Sequence, residues 1–207
     1  MTWSDTIRRD WTVAFVIGEL IGFVPPALTG ASLAALGVGD AVLTAGLTLA
    51  GSLEGAALGW AQSAVLARRI PELRRDRWIG ATALAAALAW LAGMGGAAAI
   101  QALGPVALVL TVPAWLVGLA GMGFLQWLVL RPHLPASRAW VPVTSAAWLV
   151  GVIIPVAALS SVPNGWPAAA HVMVAVASAV AMGITVGLLT GTTLVRLLQR
   201  GSPNAAR

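Results

Sequence analysis

Residues 105–130 read PVALVLTVPAWLVGLAGMGFLQWLVL, and Arg131 follows directly. Nothing in that stretch carries a charge. A helix rising about 1.5 Å per residue needs about 20 residues to cross hydrocarbon, so this segment can span a bilayer unaided. Similar apolar stretches run over residues 11–36, 41–67, 78–102, 140–162 and 168–195. The breaks between them have turn or loop composition. Gly37-Val38-Gly39-Asp40 is a turn, Arg68 to Arg77 a charged loop, and Leu103-Gly104-Pro105 a tight reversal. Two prolines interrupt Arg131 to Arg138, and residues 162–167 form the last loop. Pro25 and Pro26 are expected to kink or break the first span.

Composition agrees. Of 207 residues, 59% are hydrophobic and 9% charged, with a mean hydropathy of +0.89. A soluble domain carries about 25% charge, so this chain has too little to cover a water-facing surface. Disordered chains are poor in apolar residues and fail on the same figures. The absence of cysteine removes thiol nucleophiles, disulfides, cysteine-bound zinc and iron–sulfur clusters. The sequence predicts an all-α integral membrane protein, a single domain over residues 1–207 with six transmembrane helices. The first stretch is read as a retained helix, because it exceeds the roughly 7–15 apolar residues of a signal peptide and contains Glu19.

The basic residues set the orientation. All twelve are arginines: Arg8 and Arg9; Arg68, Arg69, Arg74, Arg75 and Arg77; Arg131 and Arg138; Arg196, Arg200 and Arg207. With six spans every one falls on the same side. The positive-inside rule then puts both termini in the cytoplasm. This also accounts for the net charge of +5 without nucleic acid as a partner. The Arg68–Arg77 loop is read mainly as a topology determinant; binding of anionic lipid is the alternative.

An internal repeat is visible. Gly59-Trp60-Ala61-Gln62-Ser63-Ala64-Val65-Leu66 aligns with Gly123-Phe124-Leu125-Gln126-Trp127-Leu128-Val129-Leu130, and an arginine follows each. Gly187, Thr190, Leu194, Val195 and Arg196 form a fainter copy. Trp11, Trp78 and Trp140 open the odd-numbered spans. The chain therefore reads as three parallel helical-hairpin repeats, a pattern found both in transporters and in membrane proteins that transport nothing. The Gly123–Arg131 segment is similar to the G-x-x-Q-W-x-V-L-R helix ends of a group of small bacterial membrane proteins without an assigned activity. That resemblance implies a bacterial inner-membrane location and supplies no catalytic residue.

Candidate functional residues are few. Gly51, Gly55 and Gly59 recur every four residues, as do Gly183, Gly187 and Gly191. Such stripes let helix backbones approach, while Gln62, Gln126 and Thr190 can bond across the contact. The plain reading is packing; the sharper one is a polar ring around a pseudo-threefold centre. Glu19 and Glu54 are the candidates for an ion or proton pathway, since an embedded acid costs about 2.5–3.5 kcal/mol and needs a cavity or partner. Glu19 falls about 12 Å past Trp11, and Glu54 about 21 Å from Arg68. With no arginine at either depth, both are expected to be protonated or bonded to Gln, Thr, Ser or water. A structural hydrogen bond and a pathway role are equally open, and nothing requires the two acids to meet.

His133 and His171 are isolated, so neither a metal site nor a cofactor is expected. Tryptophans at span ends are assigned to an aromatic belt, and those inside spans to packing or lipid contact. No nucleotide or metalloprotease motif is present, and no base serves a nucleophilic serine. The chain is read as a non-enzyme, with membrane lipids as partners and other membrane subunits or self-association as further contacts. Its expected role is an embedded subunit or scaffold of a membrane complex; the alternative is a small transporter or ion pathway using Glu19 and Glu54.

Overall fold

The computed structural model describes residues 2–163 and 165–201. Arg207 and Asn164, which bear on the topology expected from the sequence, lie outside them. Among the described residues the chain is helical and contains no strand. The helices are α1 (Trp3–Gly22), α2 (Val24–Ala35), α3 (Asp40–Leu66), α4 (Arg75–Leu103), α5 (Leu108–Leu130), α6 (Trp140–Ser160) and α7 (Ala168–Gly201).

Five helical stretches are long and apolar enough to cross a membrane: Trp3–Ala35, Asp40–Leu66, Arg75–Leu130, Ser137–Ser160 and Ala169–Arg200. The chain is a multi-pass membrane protein. Six apolar stretches in the sequence become five because α4 and α5 are joined by a single 3-10 turn, Gly104–Ala107, with no coil between them. Gly104 makes that junction at φ 72°, a region L side chains avoid.

The first span starts earlier than its hydropathy suggests. Helix α1 begins at Trp3 because Thr2 and Asp5 form a capping box: the Thr2 hydroxyl accepts from the Asp5 amide at 3.2 Å, and the Asp5 carboxylate accepts from the Thr2 amide at 3.2 Å. The helix then stops at Gly22. Pro25 and Pro26 lack the N–H groups that would reach the carbonyls of Ile21 and Gly22, so α2 restarts with the prolines in its first turn, where they are tolerated.

The helices close into a ring. α1 packs on α3, α3 on α4, α4 on α5, α5 on α6, α6 on α7, and α7 back on α1, with α2 lying along α3. Outward positions are apolar, among them Leu53, Val109, Leu110, Val117 and Ile153. A soluble bundle would place charge there; a lipid-facing one does not. The largest buried cluster gathers at the arginine-bearing end. It joins Ile7 and Trp11 of α1 to Leu66 of α3, Trp78 of α4, Leu130 of α5, Trp140 of α6 and Leu194 of α7.

Candidate functional site

At the arginine end the tryptophans that open α4 and α6, together with Trp11 of α1, point inward. Each is wholly or almost wholly buried, which corrects the aromatic-belt expectation for all three. The physical reason is that each indole N–H has a partner inside the bundle. Trp78 Nε1 donates to Gln62 Oε1 at 3.0 Å, Trp140 Nε1 to Gln126 Oε1 at 3.1 Å, and Trp11 Nε1 to Thr190 Oγ1 at 2.9 Å. An indole that satisfies its donor can be buried with its full apolar area. The three rings meet edge-on in a triangle, with centroids 6.3, 5.8 and 6.1 Å apart.

The bonding is cyclic. Each tryptophan bonds the helix just before its own, and the first, Trp11, bonds the last helix, α7. Gln126 also donates from Nε2 to Thr82 Oγ1 at 3.1 Å and approaches Gln62 Oε1 at 3.4 Å. Thr190 is too short to make the corresponding bond, and the Thr144 hydroxyl, four residues past Trp140 as Thr82 is past Trp78, is left buried without a partner. Gln62, Gln126 and Thr190 are thus brought together at one level.

Glycine contacts recur with them. A Cβ on Gly59 would sit 3.0 Å from the Ile79 Cα, one on Gly123 2.7 Å from the Val141 carbonyl, and one on Gly187 3.0 Å from the Thr12 Cα. Ile79, Val141 and Thr12 each follow one of the three ring tryptophans. The α3 stripe lies wholly against α4: Gly51 faces Trp90, Gly55 faces Thr82 and Ala86, and Gly59 faces Ile79 and Thr82. Gly183, Gly187 and Gly191 of α7 face Val16, Thr12 and Trp11 of α1.

Away from the arginine end the ring of helices encloses a chamber of about 360 Å³, lined by residues of α3 to α7, by Glu19 of α1 and by Phe23. Glu19 and Glu54 are both among the residues around it, Glu54 partly exposed and Glu19 wholly buried. Sequence depth did not require the two acids to meet; the structure sets their carboxyl groups beside each other, because Gly22 lets α1 close against α3 at Glu54. A Cβ on Gly22 would stand 2.9 Å from the Glu54 carbonyl oxygen. Glu54 Oε2 accepts from Trp90 Nε1 at 2.6 Å. Glu19 has no exposed surface, and the polar group set against its carboxyl is that of Glu54.

Trp115 and Trp148 complete the aromatic wall with Trp90. Sequence reasoning assigned these three to packing or lipid contact. Their role was missed because position inside a span does not say which face points inward. One signal was present. Glu19, Ala86 and Trp148 each stand eight residues after a ring tryptophan, and all three line the chamber. His133 and His171 are not among its lining residues. Among the described residues no group of three or more His, Cys, Asp or Glu is placed to hold a metal.

No protein-family model matches the chain, and neither a curated protein nor a solved structure is detectably similar to it.

Proposed function

We propose that this protein is a six-crossing bundle of three helical hairpins that binds a small solute in its chamber, as a carrier or binding protein and not as an enzyme. The count of six rests on length. Residues 75–130 would extend about 84 Å as one straight helix, more than twice the bilayer, whereas α4 and α5 pack side by side from the turn at Gly104. Support for the hairpins comes from spacing: Gly59, Gly123 and Gly187, then Gln62, Gln126 and Thr190, then Leu66, Leu130 and Leu194, each set at intervals of 64 residues.

One observation carries the functional reading. The acids depart from the repeat. Where the first hairpin has Glu19, the corresponding positions are Ala86 and Trp148; where it has Glu54, they are Gly118 and Met182. All six line the chamber. The scaffold is built twice over without a carboxyl group at that level, so the acids serve what the chamber holds and not the packing. Binding needs only such a pocket; among the described residues its wall pairs the two acids with apolar side chains and holds no serine, threonine, cysteine, lysine or histidine for them to activate. At the arginine end the tryptophan triangle and Leu66, Leu130 and Leu194 plug the bundle, so access is from the opposite end.

The native chain has no cysteine, so single-cysteine variants give a clean test. Val152→Cys, in the chamber wall, is expected to react with a membrane-impermeant maleimide applied to the face away from the arginines. Leu130→Cys, in the plug, is expected to stay unlabelled from both faces. An unreactive Val152→Cys on both faces would mean a sealed cavity and would remove the solute reading. Reporter fusions check the crossings: Asp40 and Gly104 outside the cell, Arg74 and Ser137 inside. A single reversed loop would sink the six-crossing arrangement.

The second reading is an embedded non-catalytic subunit of a bacterial inner-membrane complex. Its specific support is the apolar α3 surface formed by Leu49, Leu53 and Trp60, all exposed in the isolated chain. The glycine stripes themselves do not support it, since α4 and α1 of the same chain already occupy them. Purification in mild detergent as a monodisperse monomer without companions would count against this role.

A further inference from the structure

We propose that the chamber takes an uncharged, flat aromatic solute that stacks on Trp90, an indole held in place by Glu54. This rests on the solute-binding reading above and names the chemical class of the solute.

The wall holds an aromatic platform in place before any solute arrives. Trp90 is clamped at two points. Its Nε1 donates to Glu54 Oε2 at 2.6 Å, and its ring lies so close over Gly51 that a Cβ there would strike it. Glu54 is in turn set against Glu19, which is completely buried. The two acids thus serve the chamber through the ring they orient, and Glu54 is a positioning residue. About one turn further along α4, a Cβ on Gly93 would meet nothing within 4 Å, so the wall leaves room beside the indole. Trp148 is steadied by the buried Phe15, with ring centroids 5.7 Å apart, and Trp115 supplies the third indole of the lining. Indole rings pack flat aromatic groups in offset or edge-on contact. A volume of about 360 Å³ suits a solute of one or two fused rings, not a lipid.

The same wall disfavours charge on the solute. Neither carboxyl is free to pair with an incoming group: Glu54 is engaged by Trp90 and Glu19, and Glu19 has no exposed surface. No arginine or histidine is among the lining residues, and the chain has no lysine. Apart from the two acids the lining is apolar, with Leu58, Leu119, Met122 and Val152 among it. A charged head group would lose its water there without gaining a partner. A saturated body of equal size would gain the apolar burial but not the ring contacts.

The test uses the full-length protein carrying Val152→Cys, reconstituted in liposomes, and reads protection of that cysteine from maleimide. The probes are naphthalene, its saturated counterpart decalin, 1-naphthylmethylammonium and naphthalene-1-sulfonate, compared at equal membrane concentration. Naphthalene is expected to protect at concentrations at least about tenfold below either charged probe and about threefold below decalin, the ranges expected for an unpaired buried charge and for ring contacts. Equal protection by a charged probe overturns the uncharged assignment, and equal protection by decalin overturns the aromatic one; both leave solute binding standing. Protection by none of the probes, with Val152→Cys still reactive, overturns the aromatic assignment as well. An unreactive Val152→Cys instead removes the solute-binding reading itself. The role of Glu54 is read from two further variants. Glu54→Gln keeps an oxygen for the Trp90 N–H and is expected to keep the preference for naphthalene over decalin, whereas Glu54→Leu is expected to lose it. Loss in both variants, or in neither, overturns the positioning role. The comparison among probes is made on the chain with both acids intact, so it decides even if Glu54→Leu folds poorly.

Discussion

Replacing Gln126 by leucine is expected to destabilise the bundle by about 2 kcal/mol, read as a lowered midpoint of thermal or denaturant unfolding in detergent. The side chain is almost wholly buried and joins three helices: its oxygen accepts from Trp140 on α6, and its amide donates to Thr82 on α4 and approaches Gln62 on α3. Leucine fills much of the volume but leaves the Trp140 N–H buried without an acceptor. Leaving a buried donor unmet costs about 1–3 kcal/mol, and single interhelical bonds in membranes average about 0.6 kcal/mol, so a side chain with several partners falls between these figures. Thr190→Val removes only one tryptophan acceptor and is expected to cost less. Equal effects of the two variants would show that the ring does not act through Gln126 as its hub.

A second large effect is expected at Gly55. A Cβ there would lie 2.5 Å from the Ala86 Cβ and 2.6 Å from the Thr82 carbonyl oxygen, both fixed to the α4 backbone. Neither contact is with the end of a flexible side chain, so even alanine must push α3 and α4 apart. Gly55→Leu is expected to cost about 3 kcal/mol or more, at the upper end of overpacking, and to reduce the yield of folded protein. The separation would also move Trp90 from Glu54, since both flank the same contact. Leu53→Ala is the matched control: Leu53 is 57% exposed on the outward side of α3, so its loss is expected to change the midpoint little. Comparable losses for Gly55→Leu and Leu53→Ala would contradict the close approach of α3 to α4.

Different parts of the molecule were legible in the sequence to different degrees, for identifiable reasons. Hydropathy located the helices because crossing hydrocarbon demands an uninterrupted apolar run, whatever the neighbours do. It did not see that α1 starts at Trp3, because a capping box of polar residues leaves no hydropathy signal. The stripe Gly51, Gly55, Gly59 announced a close helix contact, but not its partner, α4. The tryptophans were misassigned for a related reason. A span end is where a lipid-interface ring would sit, and an inward ring occupies the same sequence position.

The sequence by itself determined that the chain lives in a membrane, that its arginines gather at one end, and that a Gly–Gln motif recurs. Each of these depends on composition or on spacing along a single helix, and such properties survive without knowledge of the neighbours. Only the tertiary structure decided that Gln62, Gln126 and Thr190 meet through Trp78, Trp140 and Trp11, and that Glu19 comes to face Glu54 across the α1–α3 contact. These pairings cross between helices, some of them 179 residues apart in the chain, as Trp11 is from Thr190. Rotation about each helix axis sets which side chains converge, and that rotation is settled only when the glycines of one helix have found the backbone of the next.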